Sequence, residues 1–282
     1  MINILNQTKI IDFFFELKFY LKVAISCTIF QQVFSWGLHN IELNFIGQVL
    51  IYWFVSSVSF YSIGLFIEKV IKNQNKLRES LNVRVKKVKK QPFPSFTAKG
   101  IIMGEIKSFI AILAIFLIAP ETHRGNSLFL NFGWFFIRIM FADLCFYVIH
   151  RLLHQKLFYK IHLKHHEFAD SSSFVAGHKS LREYILVTIS DLLPLFIFGY
   201  DITQLLSWTL IGNAYNLEGH SSLSIFFISS DFHDLHHTCF RGNYGIQGFW
   251  DRVFKTLNPV NKKSELISPI TSFLKKDYLE NL

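Results

Sequence analysis

The sequence predicts an all-α, polytopic membrane bundle of about four transmembrane helices, a re-entrant or interfacial hairpin, and a polar, histidine-rich cap at one membrane face. Three observations predict it. The chain is 51% hydrophobic and 17% aromatic, with a mean hydropathy of +0.31. Charged residues make up only 17%, below the roughly 25% of an ordinary globular domain. Four apolar stretches approach the length a helix needs to cross about 30 Å of hydrocarbon, and ten of the twelve histidines fall between His150 and His237, just beyond the last of them.

In chain order, the apolar stretches are 19–36, 45–67, 101–118 and 128–149. The third is the weakest, because Glu105 and Lys107 interrupt it. Links 37–44 and 119–127 are poor in Lys and Arg, whereas segment 69–100 holds the basic run around Lys86, Lys87, Lys89 and Lys90. Positive loops stay in the cytoplasm, so both ends of the four-span unit are predicted to be cytoplasmic. The same run accounts for much of the net charge of +9 through topology and anionic headgroups. No nucleic-acid recognition motif is present. The organisation predicted is an N-terminal membrane unit at 1–127, a catalytic unit at 128–260 and a polar tail at 261–282.

Segment 184–217 is apolar but contains Asp191 and Pro194 and then Tyr200 and Asp201. It reads as a hairpin dipping into the membrane or as a pair of interfacial helices, since the histidines before and after it must share one side. Cys27, Cys145 and Cys239 are odd in number and far apart, which indicates neither a disulfide framework nor a thiolate site. The N-terminus shows no cleavable signal pattern and no lipidation motif, so the first span is expected to stay in place.

The histidines carry the chemistry. His150 and His154 form His-x-x-x-His, with both imidazoles on one helical face one turn apart. His162, His165 and His166 form His-x-x-His-His, and His233, His236 and His237 repeat it. His178 and His220 stand alone between these boxes. Two adjacent metal ions need about eight to ten donors when few carboxylates contribute, and imidazole suits iron, zinc, copper and nickel. A zinc protease is disfavoured: from His166 the chain reads His-Glu-Phe-Ala-Asp, without the second His of His-Glu-x-x-His. Carboxylates that can orient ligating imidazoles include Asp143, two helical turns before His150, and Asp234 and Asp251 beside the last box. Asp231, Glu183 and Glu218 are further candidates, the two glutamates by their nearness to His178 and His220. A carboxylate within a span needs a partner, which favours Asp143.

At this point the strings Asp143-Leu-Cys-Phe-Tyr-Val-Ile-His150-Arg-Leu-Leu-His154, His162-Leu-Lys-His165-His166 and His233-Asp-Leu-His236-His237, followed by Asn243-Tyr-Gly245 and Trp250-Asp251-Arg252, resemble the fatty acid hydroxylase superfamily. That superfamily includes sterol desaturases, sterol methyl oxidases and sphingolipid hydroxylases, and the resemblance covers about half of the chain. It implies a cytosolic di-metal centre of two Fe ions, with zinc an alternative occupant of the purified protein. It also implies a lipid substrate oxidised with O2, and electrons from a separate donor of cytochrome b5 or ferredoxin type with its reductase. The eight clustered histidines and His220 match the pattern as metal ligands. His178 departs from it, because it is followed by Lys179 where members often have proline. Asn216 stands one turn before His220, where some members place another histidine. No catalytic residue beyond the metal ligands is implied, and no fused cytochrome, flavin site or Gly-rich dinucleotide fingerprint is seen.

A different class, a metal-handling transporter or sensor, is the alternative. Transporters usually set their polar ligands near the bilayer midplane within broken helices, whereas these boxes follow a span.

Overall fold

The computed structural model describes residues 2–80, 98–122, 127–168, 172–221, 225–227 and 232–258. The core of the basic run and the tail at 261–282 lie outside the described residues. The fold is a helical membrane bundle without strands among the described residues, apart from one isolated bridge between Glu121 and Tyr200. Its helices are α1 (Ile2–Leu38), α2 (Phe45–Ser80), α3 (Ala98–Ile118), α4 (Leu128–Leu153), α5 (Tyr159–His162), α6 (Leu181–Phe198), α7 (Ile202–Gly219), α8 (Phe232–Cys239) and α9 (Phe249–Val253).

Three of these are long and apolar enough to cross a membrane: Phe45–Val70, Lys99–Ile118 and Leu128–Leu153. The expected first span lies in α1, which is helical throughout but is not among the three; Lys22, Gln31 and Gln32 lower its apolar character. The packing explains those glutamines. Gln31 is buried, accepting from Asn131 Nδ2 at 2.9 Å and donating to Thr203 Oγ1 at 3.2 Å, so α1, α4 and α7 are joined by a polar network inside the bundle. Ile25, Ile29 and Val33 meanwhile form an exposed apolar stripe at helical spacing. The polar residues of α3 are partnered as well: Glu105 accepts from Trp53 Nε1 at 2.8 Å and Ser57 Oγ at 2.6 Å, and Lys107 donates to the Lys179 carbonyl.

Helices α6 and α7 form the predicted hairpin, and it reaches further than a shallow dip. At 1.5 Å per residue each arm is about 27 Å long, and the tip touches the α3–α4 link at the far end of the bundle: Tyr200 N donates to the Pro120 carbonyl at 3.0 Å and Thr122 N to the Tyr200 carbonyl. Asp201 caps α7, accepting from Thr203 N and Gln204 N. The α7 arm is buried among α1, α2 and α4 through Leu205, Trp208, Ile211 and Tyr215. Both arms therefore return to the end of α4 that carries His150. The end of α2 lies there too, because Glu68 accepts from Ser172 Oγ and Ser173 Oγ.

Gly199 makes the tip possible. Its φ of 71° and ψ of −178° are open only to glycine, and a Cβ would lie 2.9 Å from the Pro120 carbonyl oxygen. Gly199→Ala is expected to cost about 1–3 kcal/mol and to lower the thermal midpoint of the detergent-solubilised protein. An unchanged midpoint would show that the tip docking contributes nothing.

Candidate metal centre

The three boxes converge from four elements. His150 ends α4 and His154 caps it; His162 closes α5; His165 and His166 open a 3₁₀ turn; His233, His236 and His237 lie on α8. His220 caps the C-terminus of α7. Nine histidines form two groups, His150, His154, His162, His166 and His236 in one, and His165, His220, His233 and His237 in the other. Within each group the ligand atoms all lie within 4.8 Å of one another, and each can hold one metal ion. The boxes split between the groups. On α8, His233 and His237 are one turn apart and face one group, while His236 turns to the other. His162 and His165 part company because the chain turns at Leu163 and Lys164 instead of continuing as a helix.

Hydrogen bonding to the outer nitrogens fixes which ring atom faces inward. Nδ1 of His150 donates to the Tyr244 carbonyl at 2.8 Å, Nδ1 of His236 to the Gly242 carbonyl at 2.7 Å, and Nδ1 of His220 to the Asn216 carbonyl at 2.8 Å. A carbonyl only accepts, so in the neutral ring the proton is on Nδ1 and Nε2 presents a lone pair. His162 Nδ1 is held by Glu183 Oε1 at 2.9 Å. The Nε2 atoms then crowd together. His166 Nε2 lies 2.9 Å from His162 Nε2, 3.2 Å from His154 Nε2 and 3.3 Å from His236 Nε2. One proton can serve only one of these contacts, so the remaining lone pairs call for a cation. In the second group, His220 Nε2 lies 3.3 Å from His165 Nε2, and neither ring nitrogen of buried His237 has a hydrogen-bond partner.

His178 belongs to neither group: its Nε2 meets the exposed Glu167 carboxylate at 3.1 Å. The carboxylates also pair differently from their order in the chain. Glu183, near His178 in sequence, holds His162. Glu218, near His220, instead accepts from the backbone N–H groups of Ile225, Phe226 and Phe227. Asp143 and Asp251 touch no imidazole. Asp143 accepts from Tyr20 Oη and from Ile246 N at 2.6 Å; Asp251 accepts from Tyr244 N and Gly245 N, both at 2.8 Å. Together they hold the 244–246 segment whose Tyr244 carbonyl orients His150, and so act one bond further out than expected. Gly245 fits between them, since a Cβ there would sit 3.0 Å from Asp143 Oδ1 and 3.1 Å from Asp251 Oδ2. Asp234 is on α8, with its side chain outside the described residues, as is Asp231.

Burial keeps the imidazoles neutral, which is the ligand form. It lowers His154 to about 4, His166 to about 3 and His162 to about 2, and depresses His165, His233, His236 and His237 well below the usual range. Between those values and the ordinary 6.5, the unfolded chain binds protons that the folded chain does not, so stability falls as pH drops below about 6.5. Glu183, raised to about 8 by burial, and Asp251, also raised by burial, act with the opposite sign, but the depressed imidazoles outnumber the raised carboxyls. The metal-free protein is expected to melt at a lower temperature at pH 5.5 than at pH 7.5. An equal or higher midpoint at pH 5.5 would contradict the buried, neutral cluster.

A cavity of about 380 Å³ opens beside the second group and runs into the bundle. His150, His162, His165, His220 and His233 line its polar end, and Tyr52, Ile112, Leu195, Leu205 and Trp208 its apolar part. Its size lies in the range of small-molecule sites, which run from roughly 300 to 1,000 Å³.

Fold and site together define a membrane helical bundle with a cap of two paired polyhistidine groups, each of which could hold a metal ion. A family model described as fatty acid hydroxylase matches residues 135–256. It is 31% identical over 125 residues to methylsterol monooxygenase 1 of Gallus gallus, covering 40% of this chain and 42% of that protein. It is 29% identical over 136 residues to fatty acid hydroxylase domain-containing protein 2 of Homo sapiens, covering 45% and 40%. Over 128 residues it is 36% identical to fatty acid hydroxylase ahd1 of Mycosarcoma maydis, covering 42% and 32%. The match thus spans less than half the length of these curated relatives. No solved structure matches the chain.

Proposed function

We propose that the protein is a membrane-bound di-iron oxygenase that hydroxylates or desaturates a lipid, using O2 and electrons from a separate donor of cytochrome b5 or ferredoxin type. The observation that carries this reading is the pair of imidazole groups, five and four, with inward-facing Nε2 atoms set beside a largely apolar cavity. Iron bound there would supply the redox activation of O2 against an unactivated C–H bond.

The chain's own residues hold, orient and exclude. His150, His154, His162, His166 and His236 would hold one iron, and His165, His220, His233 and His237 the other, leaving His178 outside the ligand set. Tyr244, Gly242, Asn216 and Glu183 fix the ligating tautomers. The apolar wall keeps bulk water from the reacting carbon and admits lipid from the bilayer. Sterols, fatty acyl chains, sphingolipids and alkyl glycerols are the substrate classes in view. The relatives named for methylsterol and fatty acid oxidation support the first two. In this reading the catalytic unit is 128–260, and the metal centre faces the cytoplasm, on the side of the basic segment 69–100.

Protein purified from iron-57 medium and examined by metal analysis and Mössbauer spectroscopy is expected to hold about two irons per chain with a coupled di-iron signal, and to consume O2 with lipid and reductase. Freshly prepared, folded protein without iron and without lipid-dependent O2 uptake would instead point to zinc or to metal handling.

A further inference from the structure

The cavity that starts at the histidines ends at a charge. Arg138, Phe146 and His150 of α4 all line it. From Arg138 to His150 the helix rises about 18 Å. Arg138 is also about 15 Å into α4 from Leu128, near the middle of a hydrocarbon layer about 30 Å thick, where an ionised side chain marks a functional site by default.

Arg138 is 1% exposed, and none of Nε, Nη1 and Nη2 has a hydrogen-bond partner. The faces of its guanidinium are covered, with Trp208 at 4.1 Å and Trp134 at 4.9 Å from ring centroid to Cζ. Stacking fixes the plane but satisfies no N–H, because the five donors point outward in that plane. Asp191 lines the same cavity and interacts with Arg138 electrostatically, without a hydrogen bond between them. The pair is neutral overall. A bound carboxylate would face the Asp191 charge directly, whereas a hydroxyl can accept from Arg138 and donate to Asp191.

We propose that Arg138 and Asp191 form a binding site for the hydroxyl head of a lipid alcohol, which lies head-inward along the cavity with a carbon remote from its oxygen presented to the histidine groups. This rests on the cavity being the substrate site of the proposed oxygenase. It makes Arg138 and Asp191 specificity-determining residues and sets the position of attack by length from the head.

The test measures binding without turnover, so its failure is separable from failure of the oxygenase reading. Full-length protein in lipid nanodiscs, without reductant, is titrated with hexadecan-1-ol, hexadecane and hexadecanoate by competition against tritiated hexadecan-1-ol. Wild type is expected to prefer the alcohol to the alkane at least about tenfold, the worth of a hydrogen bond to a charged group. In Arg138→Met that preference should shrink to within about twofold. Asp191→Asn preserves shape and does not depend on the tryptophan stacking; it should weaken the alcohol and make hexadecanoate the tightest of the three. Equal binding of alcohol and alkane by wild type, or an unchanged ranking in Asp191→Asn, would overturn the proposal. Preference for hexadecanoate in wild type would overturn the neutral head.

Discussion

Replacing His166 with alanine is expected to drop the metal content from about two ions per chain to about one and to abolish lipid-dependent O2 consumption. His166 is singled out because its Nε2 contacts three other Nε2 atoms, those of His154, His162 and His236, at 2.9–3.3 Å. No other inward nitrogen has as many such contacts among the described residues. Losing it removes a ligand and leaves the first group open on the side facing the second. Changing an orienting partner typically costs about 10- to 100-fold in metal affinity or activity, so losing a ligand at the centre should cost more than about 100-fold. The second group, His165, His220, His233 and His237, should keep its ion, because it shares no residue with the first. Elemental analysis of the folded variant checks this directly. Two retained ions, or turnover near the wild-type rate, would remove His166 from the site.

The second large effect is expected at Glu183, which touches no metal position. Its Oε1 meets His162 Nδ1 at 2.9 Å, and both side chains are buried. That oxygen accepts from His162 Nδ1 and so directs Nε2 inward, as outer partners of ligating histidines do. Glu183→Ala should therefore lower affinity for the ion of the first group by about 10- to 100-fold with the helices intact. Glu183→Gln keeps an acceptor oxygen and should recover much of that loss. Metal-competition titration with a chelator separates the two variants. If alanine and glutamine weaken binding equally, the charge matters rather than the orientation; if neither does, His162 is held by packing alone.

Most of this centre was legible in the sequence because its spacing is local. One turn of helix separates His150 from His154 and His233 from His237, and that alone puts each pair on a common face. The apolar lengths were equally plain, since a span is a property of consecutive residues. The hairpin was recognised from Asp191, Pro194 and Asp201, although its depth was not, because that depends on Gly199 and Tyr200 meeting Pro120 and Thr122 some 78 residues away. The carboxylates were read by nearness in the chain, and there the reading went astray: Glu183 was set beside His178 and holds His162.

By itself, then, the sequence determined that this is a helical membrane protein with three histidine boxes at one end of its spans. Helix periodicity and hydrocarbon thickness act on neighbouring residues, and neighbouring residues are what a sequence displays. Tertiary structure alone decided that His166 and His236 join the first group while His165 and His237 join the second, that Tyr244 orients His150, and that Arg138 faces the cavity. Each of those outcomes depends on how helices distant in sequence pack and on which face of each is covered. Packing of that kind is set by the sum of many contacts across the bundle, and no single local pattern encodes it.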